Sequence, residues 1–179
     1  INSLRGVNWA ALGPEDRDKL LKRHRQAWKT LEDNSKIAVP AIRKTLQMER
    51  SDSFLIIDLS LLLLLVEPES TEEVAGYFNH ADVNAYPDVA FHVMSIVAAR
   101  HCTRCLPAVR QVLKLRELDA SIPRHALRVD LGLGIIFTLA QYGDDAIPTA
   151  IEGLSSTDCV ERGNAALALE ILQPAAIPE

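Results

Sequence analysis

The sequence predicts an all-α fold, an α-α superhelix of about four helical hairpins that follow an N-terminal helix. The first observation is composition, since 48% of the 179 residues are apolar but only 5% are aromatic. Aliphatic side chains and alanine suit helix-on-helix packing better than a β-sandwich, which favours aromatic and β-branched residues. The second is a proline-led segment that recurs along the chain, and the third is a set of apolar runs of helical length.

The N-terminal helix is predicted over residues 14–33, after an irregular segment at 1–13 that contains two glycines. Pro14 suits the first helical position, where its missing N–H would have no intrahelical acceptor. Acidic residues follow in the first turn and favour the positive end of the helix dipole. A stripe at spacings of three and four predicts the buried face. Its members are Leu20, Leu21, His24, Trp28 and Leu31.

Three segments share a small residue, an aliphatic residue, a proline and a leucine six residues beyond the proline. They are AVPAIRKTL at 38–46, CLPAVRQVL at 105–113 and AIPTAIEGL at 146–154. The missing proline N–H is tolerated in the first turn of a helix, so each segment predicts a helix start. A fourth copy without proline, at 72–78, places Val74 and Phe78 where the first copy has Ile42 and Leu46. Periods of this size, 32 to 41 residues, indicate stacked helical hairpins.

The second helices of the hairpins repeat as well. IDLSLLLLL at 57–65 and VDLGLGIIF at 129–137 each carry an acidic residue inside an apolar run, 72 positions apart. The last one, DCVERGNAALALEIL at 158–172, resembles the HEAT-repeat signature in the spacing of its Asp158, Arg162 and alanine positions.

This resemblance covers roughly residues 36–173 and implies a single HEAT-like α-solenoid domain over 14–173. The hairpins are expected at about 36–67, 70–100, 102–141 and 143–173. In HEAT arrays, an Asp column and an Arg column form a polar ladder between neighbouring repeats. Here Asp52 and Asp158 fill the acidic slot, and Arg128 and Arg162 the basic one, so the resemblance implies a discontinuous ladder.

Residues 174–179 predict either a tail or the start of a further repeat, because AIPE at 176–179 copies AIPT at 146–149. The end repeats of a solenoid normally carry a polar cap, which the apolar and small residues at 165–169 do not provide. We therefore expect the C-terminal hairpin to dock on a longer array or on another molecule.

FLIIDLSLLLLLV at 54–66 predicts a buried core helix. It has thirteen residues, whereas a membrane-spanning helix needs about 20 apolar residues. It also contains Asp58, an ionisable group that is costly in lipid. No membrane span is predicted.

HCTRC at 101–105 is the stretch whose residue types most suggest a chemically active site. Two alternatives stay open, a redox pair at a helix start and a tetrahedral zinc site. The zinc candidates are His101, Cys102, Cys105 and Cys159. The favoured interpretation is that Cys105 packs as a small hydrophobic side chain, because Ala38 and Ala146 fill the same slot in the other copies. No metal and no cofactor are predicted.

One polar residue per second helix suggests a column along the inner surface of the superhelix. Its members are Asp58, His92, Asp130 and Asn164. The column predicts either a binding groove or a stack of hydrogen bonds across the hairpin interfaces, since buried polar groups need partners. The second alternative is favoured.

The sequence offers no catalytic residue, because no Ser/His/Asp order and no nucleophile elbow is present. The function it favours is a non-catalytic protein–protein interaction scaffold, standing alone or as part of a larger protein. One alternative is nucleic-acid binding, as in HEAT-like DNA glycosylases, through basic residues at 17–29 and at Arg104, Arg110, Lys114 and Arg116. The net charge of −5 counts against it. Another alternative, an enzyme-associated HEAT-like lyase subunit, rests on the fold resemblance alone.

The expected partner is another protein, another domain of the same chain, or a second copy bound through the C-terminal repeat. Three cysteines without a disulfide framework favour the cytoplasm. A secreted or periplasmic protein that has lost a leader is the alternative, because the first residue is Ile1.

Overall fold

A computed structural model describes residues 13–116 and 131–172, and every regular element in these two ranges is helical. The α-helices are α1 (Pro14–Asp33), α2 (Ser35–Met48), α3 (Ser53–Val66), α4 (Thr71–Phe78), α5 (Pro87–Ala99), α6 (Leu106–Val109), α7 (Leu131–Ala140), α8 (Ile147–Leu154) and α9 (Cys159–Leu172). The prediction of an all-α chain is confirmed for the described residues. The predicted irregular segment, apart from Gly13, and the predicted tail at 174–179 lie outside them.

The helices pack in chain order. The hairpins α2–α3, α4–α5 and α8–α9 each form a contact between successive helices. The longer helices α3, α5, α7 and α9 also pack one on the next. Helix α6 is a single short turn that continues as a 3₁₀ turn over Arg110–Lys114, and this turn packs on α9.

Helix α3 forms the centre of the core. The Asp52 side chain accepts a hydrogen bond from the Leu55 amide at 3.0 Å and caps the helix. All ten residues at 55–64 are buried, so the expected core helix is present. Across the described ranges, none of the helices has both the length and the apolar character that a membrane crossing requires.

The anchor positions of the proline-led copies are buried in the first three hairpins. They are Ile42 and Leu46, Val74 and Phe78, and Val109 and Leu113. In the last hairpin the first anchor, Ala150, is buried, but the second, Leu154, is 41% exposed. The last hairpin therefore exposes to solvent an apolar side chain whose equivalents in the preceding hairpins are buried.

Pro40 corrects one expectation. Pro107 and Pro148 lie in the first turn of their helices, but Pro40 lies inside α2. Helix α2 begins earlier because the Asn34 carbonyl, at the end of α1, accepts hydrogen bonds from the amides of Ile37 and Ala38 at 2.9 and 3.0 Å. These bonds form a turn ahead of the proline, so the missing N–H removes one helical bond without ending the helix.

Candidate binding groove

An open apolar groove of about 470 Å³ lies where α1, α2 and α3 meet. It is lined by Ala27, Thr30, Leu31, Ala38, Ala41, Ile42, Thr45, Leu55 and Leu59. The hydroxyls of Thr30 and Thr45 donate to carbonyls of their own helices, Gln26 and Ala41, both at 2.9 Å. The groove is therefore suited to apolar surface rather than to a hydrogen-bonded polar ligand.

A buried polar tie holds α1 against the core beside this groove. The Trp28 indole N–H donates to Asp58 Oδ2 at 3.1 Å, and His24 Nε2 lies 2.9 Å from the same oxygen. Asp58 is 1% exposed, so both interactions are shielded from solvent. Since α1 otherwise contributes a partly buried stripe, this tie fixes the wall of the groove.

Tyr86 lies close enough to Asp58 for the two side chains to interact electrostatically. Burial, together with the charges of Asp58 and Asp88, raises the pKa of Tyr86 to about 12. The Tyr86 ring stacks on Phe54 with ring centres 4.5 Å apart. The phenol therefore stays protonated at neutral pH and supports packing.

Replacing Asp58 with alanine is expected to lower the free energy of unfolding by about 1–3 kcal/mol, because Trp28 and His24 lose their buried acceptor. Urea unfolding gives the magnitude, and a red shift of the Trp28 emission in a Trp9→Phe background reports release of α1. Ser60→Ala is the control on the same helix, since the buried Ser60 hydroxyl has no hydrogen-bond partner among the described residues. Equal losses for the two variants would show that the tie does not stabilise the protein.

The apolar floor of the groove continues along α2. Ile37 and Met48 are 79% and 73% exposed. With Ala41 and Thr45 they follow spacings of four, four and three, so the four side chains share one face of the helix. An apolar face of this length, about three turns, matches the length that a bound helix would cover.

Basic residues border this face. Arg23 lies one turn before Ala27 on α1, and Lys44 lies one turn after Ala41 on α2. Both are exposed, and neither forms an ion pair with a described residue. The groove therefore combines an apolar floor with a cationic rim.

The predicted polar column separates into different environments. Asp58 forms the buried tie, whereas His92 is exposed on α5. Asn164 donates to the carbonyls of Leu113 and Leu115 at 2.9 and 3.4 Å. Asp130 lies outside the described residues. Asp58 and Asn164 each join two elements, whereas His92 is exposed, so the choice between a groove and a stack of hydrogen bonds stays a prediction.

Two of the three cysteines are bonded to each other. Cys102 and Cys105 are joined by a disulfide, with their Cα atoms 5.2 Å apart, within the range that a disulfide requires. Cys105 is buried in the predicted slot, like Ala38 and Ala146, but its sulfur is bonded. The bonded cysteines are those of the redox-pair alternative, and the favoured interpretation of Cys105 as a small packed side chain did not include the bond.

The zinc candidates are not brought together. Cys159 is exposed as a free thiol on α9. Nowhere in the described ranges do three or more His, Cys, Asp or Glu side chains cluster closely enough to hold a metal ion. His101, Cys102, Cys105 and Cys159 therefore form no ligand set here.

The implied Asp–Arg ladder takes another form. Asp158 accepts from the Val160 amide and from the Arg116 guanidinium, at 2.8 and 3.1 Å. The Arg162 guanidinium donates to the carbonyls of Ser156 and Thr157 instead of an aspartate of the column. Arg128 lies outside the described residues. Asp158 thus stabilises the start of α9 and also links it to Arg116, 42 positions earlier, whereas Arg162 stabilises a local turn.

Two other arginines each pair with two carboxylates and add to the ionic contacts between hairpins. Arg43 pairs with Glu73 at 2.9 Å and with Glu67 at 2.6 Å. Arg110 pairs with Glu161 at 3.0 Å and with Glu152. Both arginines stand three residues after the proline of their copy, AVPAIR and CLPAVR, so a comparison of the copies could have found them.

Comparison with protein-family models, with curated proteins and with solved structures finds no match for this chain.

Proposed function

We propose that this protein is a non-catalytic protein–protein interaction scaffold with a HEAT-like solenoid architecture. Its binding site is the groove between α1, α2 and α3, and its ligand is an amphipathic helix of a partner protein. The observation that carries the proposal is the exposed apolar face formed by Ile37, Ala41 and Met48 beside the groove. Contiguous apolar surface with a polar rim is typical of interaction sites.

The architecture is supported by the order of packing. Successive hairpins stack, the helices α3, α5, α7 and α9 follow one another, and Arg43 and Arg110 make the same type of contact with the following hairpin. A regular stack of this kind creates extended surfaces to which partners bind.

Charge selects the chemistry of the helix. The rim residues Arg23 and Lys44 would attract carboxylates on either side of an apolar stripe and repel lysines. The partner helix is therefore acidic on its polar faces and presents leucine-like side chains at spacings of three and four.

The same charges give less support to nucleic-acid binding. In the candidate basic cluster, Arg104 pairs with Glu72, Arg110 with Glu152 and Glu161, and Arg116 with Asp158. A phosphate backbone would have to displace these carboxylates. No arrangement of described residues supports the lyase alternative.

The test uses a designed helical peptide with leucines at spacings of three and four and glutamates elsewhere. A control peptide keeps the leucines and replaces every glutamate with lysine. Fluorescence anisotropy should show that the glutamate peptide binds the full chain and that the lysine peptide binds at least about tenfold more weakly.

Two variants locate the site. Ala41→Glu places a carboxylate on the groove floor and is expected to weaken binding at least about tenfold. Lys29→Glu changes the charge on another face of α1 and should leave binding nearly unchanged. Circular dichroism verifies that both variants fold. Absence of binding by the glutamate peptide, or equal binding by the wild type and Ala41→Glu, would refute the proposal.

A further inference from the structure

We infer that the helix received by the groove belongs to a second copy of this chain, whose C-terminal hairpin α8–α9 docks head to tail on α1 and α2. This inference rests on the proposed function of the groove and names its partner.

The hairpin α8–α9 carries the apolar surface that such a ligand needs. Ile151 and Leu154 on α8, and Leu167 and Ile171 on α9, are between 40% and 51% exposed. Members of each pair are three or four residues apart, so each pair shares a face of its helix. Each helix therefore presents an uncovered apolar stripe.

These stripes are separate from the surface that already packs. Ala150, Gly153 and Ala165 are buried, and a Cβ atom placed on Gly153 would lie 2.8 Å from the Ala165 Cβ. Small residues thus let α8 and α9 approach each other closely on the inner side. The large apolar residues stand on other faces, where an additional helix layer would normally cover them.

The carboxylates beside the apolar stripes of α8 and α9 indicate which surface covers these stripes. Of the six acidic residues at 143–172, three pair with Arg110 or Arg116, and the other three, Asp144, Asp145 and Glu170, are exposed. Glu170 is exposed between Leu167 and Ile171, and Glu152 is 69% exposed beside Ile151, although it also reaches Arg110. This is the combination of leucine-like stripe and carboxylates that the apolar, cationic groove at α1 and α2 fits.

The same charges exclude symmetric pairing. Two C-terminal hairpins face to face would oppose carboxylates, and two grooves would oppose lysines and arginines. A head-to-tail contact joins unlike surfaces, so a pair of copies keeps one free groove on the first copy and one free hairpin on the second. Such heterologous contacts produce open chains or rings rather than closed two-fold dimers.

The experiment uses two full-length variants that each lose one surface. Ala41→Glu disables the groove, and Leu167→Lys disables the hairpin. In sedimentation velocity, the wild type should grow in mass with concentration and dissociate as salt is raised. Each variant alone should remain a monomer. An equimolar mixture should form a dimer and nothing larger, because one intact groove meets one intact hairpin.

Controls fix the interpretation. Lys29→Glu and Leu65→Lys, which charges a leucine that is also 51% exposed, should assemble like the wild type. The glutamate peptide should compete with assembly. A wild type that stays monomeric, or two monomeric variants that do not form a dimer when mixed, would overturn the inference.

Different experimental results would refute self-association and peptide binding by the groove. Peptide binding that Ala41→Glu abolishes, in a wild type that does not assemble, retains the groove and refutes the second copy as its ligand. Assembly that Ala41→Glu leaves intact refutes the groove as the site of self-association, whatever the peptide does.

Discussion

Replacing Arg110 with alanine is expected to lower the free energy of unfolding by about 3–5 kcal/mol, because it leaves a buried carboxylate without its cation. Glu161 is only 2% exposed, and its remaining side-chain partner is the Ser156 hydroxyl at 2.7 Å. A charge in this position cannot regain its hydration without opening the contact between the 3₁₀ turn and α9. Urea unfolding followed by circular dichroism measures the loss.

The matched control is Arg43→Ala, at the same place in the first copy. Arg43 and its partners Glu67 and Glu73 are roughly one-third exposed, so this loss is expected to stay near 0–1 kcal/mol. The double variant Arg110→Met, Glu161→Met should recover much of the stability, since apolar residues can replace a buried ion pair. Equal losses at Arg110 and Arg43 would contradict the assignment of Arg110–Glu161 as a buried pair.

Replacing Phe78 with alanine is expected to lower the free energy of unfolding by about 3–5 kcal/mol. Phe78 is fully buried in the second hairpin and is among the largest fully buried side chains of the described core. Its removal leaves a cavity that the surrounding helices can fill only in part. Chemical unfolding of the purified variant gives the magnitude, and an unchanged m-value confirms that the two-state comparison is valid.

Leu154→Ala is the matched control, because Leu154 occupies the equivalent position of the last hairpin and is 41% exposed. Its substitution should cost no more than about 0.5–1 kcal/mol in the dissociated monomer. A loss at Leu154 as large as that at Phe78 would mean that the last hairpin is covered in solution under the conditions of the measurement.

The sequence pattern predicted the parts of the fold that depend on interactions between neighbouring residues. The helix expected at 14–33 is present as Pro14–Asp33, because proline and early acidic residues favour its start. The burial of residues 55–64 followed from an apolar run too short to span a membrane. Both arguments use neighbouring residues only, so a single sequence contains the required information.

Contacts between distant segments were less accessible. His24 was assigned to the buried stripe of its helix, but its approach to Asp58 joins residues 34 positions apart and depends on how α1 crosses α3. The Cys102–Cys105 disulfide depends on a turn geometry that the spacing alone allows but does not require. Pro40 was misplaced because Asn34 starts a helical turn ahead of it.

The candidate groove was not predicted at all. Three alanines and two threonines of its lining are not singled out by a hydropathy pattern, and the remaining lining residues, Leu31, Ile42, Leu55 and Leu59, look like ordinary core positions. Its apolar lip, Ile37 and Met48, resembles any other part of an apolar stripe until the packing of α2 shows which face is left open.

The positions of Arg43 and Arg110 limit how many hairpins the chain could gain or lose at once without mismatched contacts. They are 67 residues apart, and each links an odd-numbered hairpin to the even-numbered one after it. Among the described residues, the polar contacts between the second and third hairpins are of other kinds. Asn84 bonds to the Lys114 carbonyl and the Arg116 amide, the hydroxyls of Ser95 and Thr138 lie 3.3 Å apart, and one solvent-exposed ion pair is present. The smallest heritable unit that reproduces both junctions is therefore two hairpins. Duplication of such a pair would keep both kinds of junction, whereas gain or loss of one hairpin would place mismatched surfaces together.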